Sequence, residues 1–154
     1  MNNDNKFLKN YFRNFKYLLN EDVINQLVTL KKIILKLRNN NKVIVAGNGG
    51  SAAISSHFSV DLTKNAKVRA INFNEADLIT CFSNDYGYEN WVKKTLEFYA
   101  DKDDLLILIS SSGMSKNITN CIKKNKKLFS FVATFSGFNK KNTLSKVGDI
   151  SFHV

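Results

Sequence analysis

Proline is absent from this 154-residue chain, cysteine occurs twice, tryptophan once, and arginine three times. No stretch approaches the roughly 20 uninterrupted apolar residues of a membrane span. The amino terminus, MNNDNKFLKN, lacks the apolar core and small-residue cleavage site of a signal peptide. Cys81 and Cys121 lie far apart and match no metal or redox spacing, so both are expected to be small apolar fillers in a reduced, cytoplasmic setting. Arginine and interleaved aromatics are missing from the lysine run Lys123, Lys124, Lys126 and Lys127. A nucleic-acid partner is therefore not expected, despite a net charge of +10. Lysine and asparagine abound throughout, and the charge follows that composition. Its milder consequence is a surface that favours small anionic ligands.

An apolar content of 44% and a charged content of 23% are those of a soluble globular protein, and the length suits one domain over residues 1–154. Residues 1–40 have helical periodicity. Phe7, Leu8, Tyr11, Phe12, Phe15, Leu18 and Leu19 form one stripe, and Val23, Ile24, Leu27, Val28, Leu30, Ile33, Ile34 and Leu37 a second. Asn20 is placed to cap the second helix, with Glu21 and Asp22 in its first turn. Two helices this apolar must pack on the rest of the domain or on another copy of the chain.

From residue 42 onward short apolar runs alternate with helices. Strands are expected at 43–46, 68–73, 105–110, 129–135 and 149–154. Helices are expected at 51–64, 75–83, 89–100 and 115–127, with a short turn near 142–146. Such alternation predicts a parallel sheet covered on both faces. The sequence stops at its last predicted strand, which leaves that part of the sheet without a covering helix.

Ligands of an open parallel sheet bind outside the carboxyl ends of its strands, and two loops there stand out. Gly47-Asn48-Gly49-Gly50-Ser51-Ala52 joins the first strand to a helix. Its glycines permit close backbone approach, and the helix start offers unpaired N–H groups to an anion. A plain tight turn is the alternative. It is neither a Walker loop nor a dinucleotide fingerprint. Ser110-Ser111-Ser112-Gly113-Met114-Ser115 follows the third strand, with hydroxyls that donate to phosphate oxygens and Ser115 placed as a helix cap. His57 and Asp61 are four apart and share one helix face.

Those two loops, His57-x-x-x-Asp61 and Asn84-Asp85-Tyr86-Gly87, in this order and at these separations, resemble the SIS (sugar isomerase) domain family, and within it the phosphoheptose isomerases. The resemblance implies a three-layer αβα sandwich of the flavodoxin-like type, with a five-stranded parallel sheet behind two N-terminal helices. It implies a homotetramer, or a dimer, in which those helices pair and sites lie between subunits. Ser51, Ser110, Ser112 and Ser115 would cradle the phosphate with Gly49 and Gly50, and Ser111 would line it. Asn48 and Asp85 would contact sugar hydroxyls. Catalysis would be an aldose–ketose isomerisation through an enediol, on sedoheptulose 7-phosphate or a close relative, with Asp61 moving the proton and His57 assisting. No cofactor is required, and zinc at His57 and Asp61 is the metal that relatives suggest.

The resemblance also has departures. Asp61 stands where phosphoheptose isomerases carry glutamate, one methylene longer. The family's last helix, with its second catalytic histidine, is not in this sequence, and His153 in the last strand does not replace it. Met114 stands where relatives have a small or polar residue. A phosphosugar-binding or scaffold protein without turnover is the alternative function. For His57 the bland reading is a histidine at a subunit contact. For Asn84 and Asp85 it is a turn with Gly87.

Overall fold

The computed structural model describes residues 3–18, 20–37, 40–122 and 125–154. Leu19, Lys123 and Lys124 lie outside them. β1 (Val43–Gly47) and β3 (Leu105–Ser110) are buried along almost their whole length. Strands apolar at nearly every position need both faces covered, and helices supply that cover. β2 (Ala70–Ile71), β4 (Phe131–Ser136) and β5 (Ile150–His153) complete a five-stranded sheet in the order β2-β1-β3-β4-β5, with every pairing parallel.

Alternate side chains feed two cores. Val43, Val45, Leu105 and Ile107 meet Leu30 and Ile34 of α2 (Glu21–Ile34) and Leu62 of α3 (Gly50–Lys64). Ile44, Leu106, Leu108 and Val132 point the other way. They meet α4 (Ala76–Tyr86), α5 (Trp91–Tyr99) and α6 (Lys116–Asn120) through residues such as Phe82, Trp91, Leu96 and Ile118. The expected αβα layering is present. From β1 the chain moves outward to β2, then back across to β3, so the switch in winding direction falls between β1 and β3. In doubly wound sheets of this order, ligands bind at that crevice.

Some elements differ from the sequence expectation, for local reasons. β2 keeps two residues of the expected six, because side-chain bonds turn the chain away. Asn72 Oδ1 accepts from the Asn74 N–H, and Asn74 Nδ2 donates to the Ala52 carbonyl and the Ser56 hydroxyl. α4 runs three residues further than expected, to Tyr86, and Gly87 (φ 79°) ends it. Asn84 and Asp85 are therefore helical rather than turn residues. α6 spans five residues where a helix over 115–127 was expected. Cys121 is buried as expected, and burial pushes its thiol up to about 12. Cys81 corrects the expectation: it is exposed on α4, a face that looks to solvent.

Asn20 caps α2 as expected, its Oδ1 accepting from the Val23 N–H at 3.0 Å. α1 (Asn3–Leu18) is different. Phe7, Leu8, Tyr11, Phe12 and Phe15 are all exposed, and among the described residues α1 adds none to either core.

At the amino end of the sheet, a charge cluster ties the entries of β1 and β3. Lys42 Nζ lies 2.6 Å from Asp101 Oδ2 and 2.7 Å from Asp104 Oδ2, and the Lys42 N–H donates to Asp104 Oδ1 at 2.9 Å. Asp104 is fully buried and Lys42 nearly so. Removing one partner strands the other charge. Asp104→Ala is therefore expected to cost about 3 to 5 kcal/mol in urea unfolding. The hydrogen bond from Lys42, reinforced by its charge, holds the Asp101 carboxyl below its ordinary 3.8. With the folded-state value depressed, this stabilisation is complete above pH 3.8 and is lost as pH falls through the lower folded value. Asp101→Asn is expected to flatten the acid limb of a pH–stability curve below that point.

Candidate active site

Parallel pairing sets Gly47 beside Ile109 and so delivers the glycine loop and the serine loop to one end of the sheet as neighbours. In the glycine loop, Gly49 takes φ 52° and ψ −120°, a conformation that side chains rarely tolerate. It lets the chain reverse into α3, and the space above Gly49 and Gly50 is open. The first bonds of that turn run from the Ser51 N–H to the Asn48 carbonyl and from the Ala52 and Ala53 N–H groups to the Gly49 carbonyl. Among the described residues, the N–H groups of Gly49 and Gly50 find no acceptor inside the protein. They remain free for an external anion.

The serine loop turns at Gly113 (φ 63°), whose N–H returns to the Ser110 carbonyl at 2.9 Å. Ser110 is buried, and its hydroxyl donates to Ser115 Oγ at 3.2 Å. Ser115 precedes α6 as expected, but its hydroxyl makes no capping bond because it is turned toward Ser110 instead. Ser112 Oγ accepts from the Met114 N–H. Ser111 is exposed, while its carbonyl accepts from the Gly137 N–H. The structure therefore brings Gly49, Gly50 and Ser51 together with Ser110, Ser111, Ser112 and Ser115 at one end of the sheet. The donors are neutral hydroxyls and backbone N–H groups. A multiply charged oxyanion suits them, since each donor gains a charge-assisted bond without a buried cation to neutralise.

Three residues that the sequence reading passed over organise this end. Asn117 is buried on α6 and exchanges two amide hydrogen bonds with Asn48, at 2.9 and 2.8 Å. Tyr88 adds a third bond, its hydroxyl donating to Asn48 Oδ1 at 3.4 Å. Asn142 is buried beneath Gly113, so close that a Cβ there would collide with its amide. It donates to Ser136 Oγ at the end of β4 and to the Asn139 carbonyl, and accepts from the Ser145 N–H. Asn117 left a signal, a polar residue at helical spacing with the apolar Ile118, Cys121 and Ile122 that follow it. Asn142, between Lys141 and Thr143, left none.

His57 and Asp61 stand together on α3, with Nε2 and Oδ2 3.5 Å apart, and Asn65 Nδ2 donates to the other carboxylate oxygen at 3.1 Å. Their side chains are 81% and 47% exposed. Asp85 is exposed, and the bonds it accepts come from Asn84 and Cys81 in its own segment. Contact between this segment and the glycine loop runs through Tyr88 rather than Asp85. As zinc ligands, His57 and Asp61 are two donors where protein zinc sites use three or four. Among the described residues no group of three or more His, Cys, Asp or Glu could hold a metal. Among the described residues, His57 and Asp61 do not complete a zinc site by themselves.

Beside the cradle opens a cavity of about 610 Å3, touched by Ser51 and Ser111 but walled by Leu27, Ile54, Phe58, Ile109, Phe135, Phe138 and Val154. Its wall is apolar and unsuited to sugar hydroxyls. It marks a stretch of sheet between α2 and α3 that no helix among the described residues covers. His153, in β5, pairs with Ser136 and is not part of the cradle.

The SIS domain family model matches residues 8–136. A phosphoheptose isomerase from Helicobacter pylori (strain P12) is 37% identical over 114 residues, 70% of this chain and 58% of that protein. The chain thus spans little more than half the length of that relative. The phosphoheptose isomerase of Buchnera aphidicola subsp. Acyrthosiphon pisum (strain Tuc7) is 32% identical over 154 residues, 97% of this chain and 77% of that one. The solved structure of a phosphoheptose isomerase from Francisella tularensis superposes with a TM-score of 0.86 at 25% identity, covering 97% of this chain and 83% of the other. Sheet order, loop positions and these likenesses agree, and the chain belongs to the SIS domain family.

Proposed function

We propose that the chain is a phosphosugar isomerase that interconverts sedoheptulose 7-phosphate, or a close relative, with the corresponding aldose phosphate. The observation that carries this reading is the layout of α3. The glycine loop opens the helix, and the His57–Asp61 pair follows on one of its faces. At 1.5 Å per residue, His57 is about 9 Å and Asp61 about 15 Å beyond Ser51, and helical side chains lean back toward the amino end. A phosphate held by the loops then anchors an extended sugar whose far end reaches the pair. The names of the relatives support the same substrate.

In the reaction, the Asp61 carboxylate takes a proton from C1 of the ketose, and the C–H electrons pass into an enediolate. The resulting acid returns a proton to C2. His57 carries the hydroxyl proton from the C1 oxygen to the C2 oxygen, so C1 becomes the aldehyde and C2 the carbinol, with no net oxidation. Such a carboxylate must lie within hydrogen-bond reach of the C–H it works on. Asp61 has one methylene fewer than the glutamate of phosphoheptose isomerases, and Asn65 holds it by one oxygen. A reacting centre this open to water needs a cover. The uncovered aromatic stripe of α1 supports self-association, with a homotetramer as the arrangement and a dimer as the smaller alternative. A reducing cytoplasm suits two unpaired thiols. Among the described residues no helix is long and apolar enough to cross a membrane.

The exposure of His57 and Asp61 favours one other reading, a protein that binds the phosphosugar without turnover. Proton NMR with sedoheptulose 7-phosphate in heavy water separates the two. An isomerase exchanges a C–H signal for deuterium as an aldose grows in, and Asp61→Asn lowers that rate by about 10²- to 10⁴-fold. Saturation transfer to the ligand with no exchange establishes the binding protein instead. Unchanged exchange in Asp61→Asn removes the carboxylate from the mechanism.

A further inference from the structure

The amide pair between Asn48 and Asn117 joins two segments 69 residues apart in sequence, the glycine loop after β1 and the helix after the serine loop. A primary amide has two N–H donors and an oxygen with two lone pairs. Asn48 gives one N–H to Asn117 Oδ1, and its Oδ1 accepts from Asn117 and from the Tyr88 hydroxyl. What Asn48 keeps for a ligand is one N–H donor, and the paired bonds fix the plane of the amide that carries it. Asn117 is 2% exposed and has no route of its own to a ligand in solvent. Asn48 is half-buried at the lip of the cradle, next to Gly49 and Gly50. A buried amide whose partner is deleted is left with an unmet donor and acceptor, which is costly enough to make it turn toward other partners.

We propose that Asn117 is a positioning residue that locks the Asn48 amide as a hydrogen-bond donor to the sugar. The proposal rests on the phosphosugar reading and assigns Asn117 no contact with substrate. It separates two contributions to binding. The serine hydroxyls and the Gly49 and Gly50 N–H groups hold the phosphate. Asn48, kept in one orientation by Asn117, selects an oxygen that accepts a hydrogen bond on the carbon chain beyond it.

The test uses the full chain and two probes, sedoheptulose 7-phosphate and inorganic phosphate, titrated by calorimetry. Asn117→Leu, similar in volume but without hydrogen bonds, is expected to weaken the sugar phosphate about tenfold or more, the size of one unmet buried polar group. Its affinity for inorganic phosphate should stay within a factor of about two, since the serine contacts are untouched. A merely structural role lowers both in parallel, and that outcome overturns the proposal. In an Asn48→Ala background, Asn117→Leu should add nothing further, because the lock has nothing left to hold; an additive loss overturns it as well. Asn117→Ser, which leaves room for a bridging water, serves if the leucine variant does not fold. Side-chain NMR of Asn48 decides the lock without any ligand. The amide proton that Asn48 gives to Asn117 should be protected from exchange in the parent and lose that protection in either variant, and protection unchanged by substitution contradicts the proposal. Should the parent bind no sugar phosphate, the phosphosugar reading fails while this last measurement still decides whether Asn117 holds Asn48.

Discussion

The pairing of Gly47 with Ile109 across the parallel β1–β3 ladder sets where every functional group of this chain ends up. Because the two strands run in the same direction and in that register, the loops that follow them emerge as neighbours. Because the winding reverses at this point, the helices that follow diverge to opposite faces of the sheet and leave a crevice between them. Gly49 allows one loop to turn back into α3, and Gly113 allows the other to turn over the buried amide of Asn142. The long apolar strands serve this geometry by keeping the register fixed from both faces. The Lys42–Asp101–Asp104 cluster fixes the opposite end of the same two strands.

The proposed cradle carries little charge of its own. Its donors are hydroxyls and peptide N–H groups, and Lys116, which follows Ser115 in the chain, is bonded to Glu89 at 2.7 Å. Long-range attraction of an anion is left to the net charge of +10 spread over the surface. Short-range selection is left to geometry. His57 and Asp61 stand farther along α3, with side chains 81% and 47% exposed. The cavity next to the cradle is apolar. With the exposed aromatics of α1, these features are what the proposed self-association would cover.

Much of this was legible in the sequence. Continuous apolar runs at β1 and β3, helices of the right period between strands, and two loops rich in glycine and serine specify a parallel sheet and its ligand end almost alone. His57 and Asp61 were legible because a spacing of four puts residues on one helix face. The parts that escaped were set by side chains bonding across long sequence separations. β2 shrank because Asn72 and Asn74 bend the chain, which no apolar pattern reveals. Ser115 has the residue type of a cap, but its hydroxyl answers Ser110. Asn142 holds the serine loop from beneath, and in sequence it looks like any surface asparagine in so asparagine-rich a chain. Cys81 appeared apolar by type, yet α4 presents it to solvent.

That the two loops form one phosphate cradle is the claim on which the functional account stands. It is tested most directly by following the backbone amide signals of Gly49, Gly50, Ser111 and Ser112 as sedoheptulose 7-phosphate is added to the labelled protein. The account predicts that signals in both loops move together and saturate with a single dissociation constant. Movement in one loop alone, or two loops that titrate with different constants, would contradict it.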